Sequence, residues 1–96
     1  MTISQPELEA VVRKVVLLFN RLKSPEAMAK AVFVSSEFVT ISFSGSFCYD
    51  CGGVQKYVED FAQDFKVFID YIELVADRTR ETSPRTFDVN YLVKAR

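Results

Sequence analysis

The sequence predicts an α+β domain of order αββαββ, a four-stranded, antiparallel-rich sheet with two helices packed on one face. Three observations carry this. Apolar residues recur at spacings of three and four over 8–22 and again over 54–65, the pattern of two amphipathic helices. They alternate with polar residues over 38–44 and 86–94, the pattern of strands covered on one side. Turn signals at Ser24-Pro25, Gly45 and Ser83-Pro84 divide these runs. With 96 residues, the chain reads as a single domain over 1–96, and its nine Phe supply a core without help from disulfides.

The first helix opens on Ser4 and Glu7, a capping-box pair, with Pro6 suited to the first turn. Leu8, Val11, Val12, Val15, Leu18, Phe19 and Leu22 form its stripe, and Ser24-Pro25 stops it. A hairpin follows. Residues 29–34 place Ala29, Ala31 and Phe33 on one face, and Ser35-Ser36-Glu37 makes the turn. Residues 38–44 then place Val39, Ile41 and Phe43 inward, with Phe38, Thr40, Ser42 and Ser44 outward. The second helix starts near Gly53, with Val54, Tyr57, Val58, Phe61 and Phe65 inward and Lys56, Glu59, Asp60, Gln63 and Asp64 outward. Residues 67–76 are dense in β-branched and aromatic side chains, which predicts a third strand. The spacing of Phe61, Phe65, Phe68, Ile72 and Val75 also fits a long second helix, giving the alternative αββαβ. Asp77 to Arg85 reads as a polar loop before a last strand at 86–94, where Phe87, Val89, Tyr91 and Val93 share a face.

The net charge of −1 gives no global attraction to nucleic acid or membranes. Charge is uneven along the chain: +1 over 1–47, −5 over 48–77 and +3 over 78–96. No apolar stretch approaches the ~20 residues of a membrane span, and the start lacks the basic and apolar segments of a secretory signal. The expectation is a cytoplasmic protein with no membrane contact. Histidine is absent, which removes His-based triads and histidine metal ligands within one chain.

The chemistry concentrates at Cys48-Tyr49-Asp50-Cys51-Gly52-Gly53, which holds both cysteines of the chain. Such a pair can clasp a loop as a disulfide or as semi-buried apolar groups, act as a redox couple, or give half of a metal site. Structural zinc takes four ligands, so zinc requires Cys48 and Cys51 from each of two chains. No other cofactor is expected. Gly52 and Gly53 allow a turn before the second helix, or backbone approach of an anion to its start. Over residues 38–65, the order strand, Phe-Cys-x-x-Cys, helix resembles thioredoxin-like proteins, and the resemblance implies thiol-redox activity at Cys48 and Cys51. The rest of the chain departs from that family, with no βαβ unit leading in and no terminal helix. Pro84-Arg85-Thr86 is only faintly similar to the family's proline loop.

A small sheet can also stack bases on exposed aromatics. Phe38 and Tyr91 are candidate platforms, and Arg78, Arg80 and Arg85 are candidate phosphate contacts, although no RNP-type motif accompanies them. Glu59, Asp60 and Asp64 at helical spacing read as a solvent face, and no residue is expected to be catalytic. The sequence therefore supports a small binding or assembly domain of unidentified ligand, forming a homodimer, with a structural cysteine loop. A thiol-redox protein and a nucleic-acid-binding module are the alternatives.

Overall fold

A computed structural model describes residues 4–23, 27–45, 53–83 and 85–95. The elements are α1 (Gln5–Lys23), β1 (Ala27–Val34), β2 (Phe38–Gly45), α2 (Gly53–Phe68), β3 (Ile72–Ser83) and β4 (Thr86–Ala95), the αββαββ order. The four strands form one antiparallel sheet, ordered β1-β2-β4-β3.

Local signals set the helix boundaries. The Glu7 N–H donates to Ser4 Oγ at 3.3 Å, and the Ser4 hydroxyl donates to Glu7 Oε1 at 3.2 Å. This satisfies a free donor of the first turn. Leu8, Val12, Val15 and Phe19 are the buried stripe of α1. Leu22, expected on it, is exposed. In α2 the inward residues are Tyr57, Val58, Phe61 and Phe65.

Both helices bury these stripes against one face of the sheet, made of Val39, Ile41 and Phe43 on β2, Phe87, Val89 and Tyr91 on β4, and Ile72 and Leu74 on β3. Aromatic rings dominate the centre. Phe43 meets Phe19 edge-on at 5.4 Å and Phe61 edge-on at 5.6 Å, and stacks on Phe87 at 5.2 Å. Such pairs add about 0.5–1.5 kcal/mol each beyond their burial. Tyr91 stacks on Phe61 at 5.7 Å and donates its hydroxyl to the Val58 carbonyl at 2.8 Å, tying β4 to α2.

Three expectations change. Residues 67–76 are neither one strand nor a continuous helix. The helix runs to Phe68, Ile69 N–H still bonds the Phe65 carbonyl at 3.2 Å, and the strand begins at Ile72. The polar stretch from Asp77 onward is strand rather than loop, through Ser83. Its backbone pairs with β4 from Arg78↔Asn90 to Ser83↔Thr86, and backbone pairing does not require apolar side chains. The third change is in β1. A bulge between Ala31 and Phe33 leaves Ala31 opposite Ile41 but sets Phe33 opposite Thr40. One extra residue reverses the facing of everything beyond it, so Phe33 lies on the face away from the helices.

Candidate functional site

The sheet face opposite the helices is uncovered. It can be read strand by strand from the register, since directly paired residues share a face. One row runs Phe33, Thr40, Asn90, Arg78, and the next runs Lys30, Ser42, Asp88, Arg80. Phe38, Leu92 and Val75 form a third row, and Glu73 pairs with Lys94.

An apolar band crosses one end of this face. Phe33 stacks on Phe38 with ring centroids 5.1 Å apart, and Leu92 and Val75 extend the band across β4 and β3. Phe33 is 50 % exposed and Val75 40 %. The remainder is polar. The Thr40 hydroxyl donates to Asn90 Oδ1 at 2.8 Å, which fixes the amide at the centre of the sheet. Lys30 lies on β1 and Arg78 and Arg80 on β3, the two edge strands, whereas Asp88 lies on the inner strand β4. At the far end, Met28, Lys30, Ser42, Ser44 and Thr86 line a shallow hollow of about 490 Å³.

The edges are guarded in different ways. On β1, Ala29 N–H donates to Asn20 Oδ1 at 2.6 Å, and Asn20 Nδ2 donates to the Ala29 carbonyl at 3.1 Å. Gln5 Nε2 donates to the Val34 carbonyl at 3.1 Å. These amides occupy backbone groups that would otherwise template another strand. On β3, exposed Arg78, Arg80 and Glu81 and two register shifts discourage pairing.

A second polar cluster lies between the helices. Asp60 and Asp64 are half-buried rather than on the solvent face, while Glu59 is exposed. Lys23 Nζ lies 2.9 Å from Asp60 Oδ2. The hydrogen bond to Asp60 is the main cause that raises the Lys23 ammonium, with burial opposing it. Asp64 Oδ2 is buried without a hydrogen bond among the described residues. Burial raises its carboxyl above the ordinary range; Lys23 pulls it back and Asp60 pushes it further up. Among the described residues, no three His, Cys, Asp or Glu side chains gather closely enough to hold a metal.

Of the sequence candidates, Arg78 and Arg80 lie on the open face, and Arg85 occupies the β3–β4 turn with φ 74°. Phe38 is on that face too. Tyr91 is not available as a stacking platform, because it is fully buried and its hydroxyl is spent on Val58. Gly53 opens α2, whereas Cys48, Cys51 and Gly52 lie outside the described residues. The sequence does not mark Phe33, whose facing the bulge decides, or Asn20, which lies off the apolar stripe of α1. Strict alternation over 29–34 puts Phe33 with Ala29 and Ala31, and nothing in the apolar run Ala31-Val32-Phe33-Val34 marks the extra residue of the bulge.

No family model matches the chain, and neither do curated proteins or solved structures. No helix among the described residues is long and apolar enough to cross a membrane.

Proposed function

We propose that this chain is a binding and assembly domain that works through its open sheet face, pairing there with a second copy of itself. The observation that carries the reading is the stacked Phe33–Phe38 pair, continued by Leu92 and Val75, on a face that neither helix covers. Contiguous apolar surface of this kind marks interaction sites.

The area suffices. Four strands ~4.8 Å apart and roughly eight residues long, at ~3.3 Å per residue, make a rectangle of roughly 500 Å². Two such faces bury about 1,000 Å² together, the lower bound for a specific contact. The charge layout favours a second copy as the occupant. Bases sit on the edge strands and Asp88 on an inner strand, so a crossed two-fold pairing lays an edge base of each copy over the inner acid of the other. The guards at Ala29 and Val34 on β1 and the charges on β3 oppose long edge-to-edge pairing of two copies and leave the face as the route to a closed pair. In this reading the Cys48–Cys51 loop, joining β2 to α2, is a structural clasp within each subunit.

Sedimentation equilibrium at micromolar concentration tests the proposal. The wild-type chain is expected at twice its 11.0 kDa mass, and Phe33→Asp at the monomer mass with an unchanged circular dichroism spectrum. A monomeric wild-type protein under these conditions refutes it.

A further inference from the structure

We infer that the groove between β1 and α1 binds a short extended peptide, added as a strand at Ala31, with a basic residue preceding an acidic one. In an antiparallel pair the backbone groups of successive residues point alternately toward and away from the neighbour. Ala29, opposite Phe43, turns its N–H and C=O to the outer edge, where Asn20 takes both. Ala31, opposite Ile41, therefore turns its own pair outward as well. Outside the strand ladder nothing among the described residues bonds them. The Asn20 pair at Ala29 and the Gln5 bond to the Val34 carbonyl thus flank the open position at Ala31.

That position adjoins a hollow of about 320 Å³ lined by Val12, Val16, Ala31 and Val34, with Glu9 and Arg13 among its walls. Ala31 is on the helix side of the sheet yet exposed. An apolar side chain entering there meets apolar neighbours, while its backbone pairs with Ala31. This is strand addition with one specificity pocket.

The direction follows from the chain. Gln5 lies level with Val34 and Asn20 with Ala29, so α1 runs antiparallel to β1. A segment added antiparallel to β1 therefore runs in the direction of α1. It passes Glu9 before Arg13. Charge complementarity places a base first and an acid second, bracketing the apolar anchor. Phe33 borders both this groove and the open sheet face, but the backbone pairing at Ala31 does not itself use that face.

The probe is the peptide acetyl-Lys-Thr-Val-Thr-Glu-amide, whose Lys, Val and Glu share one side of the strand. Its control is the order-reversed acetyl-Glu-Thr-Val-Thr-Lys-amide. Titrated into the ¹⁵N-labelled full chain, the probe is expected to shift the Ala31 and Arg13 amides and to bind about three- to tenfold tighter than the control, the span of two exposed ion pairs. The double variant Glu9→Lys, Arg13→Glu is expected to reverse that order. Ala31→Pro removes the outward N–H at an edge position where proline is tolerated, and is expected to abolish binding while the sheet amides keep their shifts. Three results overturn the inference: no Ala31 shift at millimolar peptide, equal affinity for both orders, or undiminished binding to a folded Ala31→Pro variant. Sedimentation of the same samples reports on the sheet-face pairing independently.

Discussion

Tyr91→Phe tests whether a single buried hydroxyl fastens α2 to the sheet. The Tyr91 ring is fully buried and stacks on Phe61, and Phe preserves that packing. The only loss is the 2.8 Å bond to the Val58 carbonyl. That carbonyl lies inside α2, where the helical ladder supplies it with a second donor, so the substitution leaves no acceptor stranded. The expected cost is therefore that of one neutral hydrogen bond, about 1 kcal/mol. For a domain of this size it lowers Tm by roughly 4–8 °C. Urea denaturation followed by circular dichroism should show a lower midpoint at unchanged slope. A second readout is independent of stability. Burial pushes the Tyr91 phenol far above the usual tyrosine range. A phenol raised in the folded state withstands alkali until the fold is lost, so Tyr91 should ionise only on unfolding. Tyr91→Phe should remove that late-titrating group from the ultraviolet absorbance curve. A variant as stable as wild type, or one that still shows a late tyrosine, refutes the account of this bond.

Other outcomes follow from backbone and charge. Gly45 ends β2 at φ 154°, a region that a Cβ disfavours, so Gly45→Ala should cost about 1–3 kcal/mol, measured by the urea midpoint. Arg85 holds φ 74°, and Arg85→Gly should gain up to about 1 kcal/mol by removing that strain, seen as a higher Tm. Asp64 is raised mainly by burial, so the folded state holds its proton more firmly than the unfolded state does. Stability is lost as pH rises from the ordinary carboxylate range through the raised value, and the penalty persists above it. Asp64→Asn should raise Tm at pH 7 and flatten this part of the stability profile. If Cys48 and Cys51 act as one clasp, Cys48→Ser and Cys51→Ser should lower the denaturant midpoint equally under oxidising conditions. A change from only one of them would instead indicate a single buried or reactive thiol.

How far the candidate surface could be read depended on which residues formed it. Arg78 and Arg80, with Arg85, read as candidate phosphate contacts, yet the loop expected there hides their place on a strand of the open face. Asp60 and Asp64 were assigned to solvent because helical spacing gives the angle around α2 but not where α1 lies beside it. Asn20 lies off the apolar stripe of α1, and nothing local marks a polar side chain that will reach a strand edge nine residues on. Phe38 needed no such information, since the alternation of β2 is unbroken and its outward facing follows directly.

By itself the sequence determined the element order, most of the apolar stripes of α1 and α2, the inward face of β2, and the start of α1. These depend on periodicity and capping, which act over one or two turns of chain. The tertiary structure alone decided the end of α2, the length of β3, the bulge that turns Phe33 outward, and the pairing of Asn20 with Ala29. Each of these is settled by a partner distant in sequence. β3 persists through polar residues because β4 offers it backbone groups, and the bulge in β1 is a mismatch against β2. Such features have no local signal, because the free energy that selects them arises only when the two segments meet.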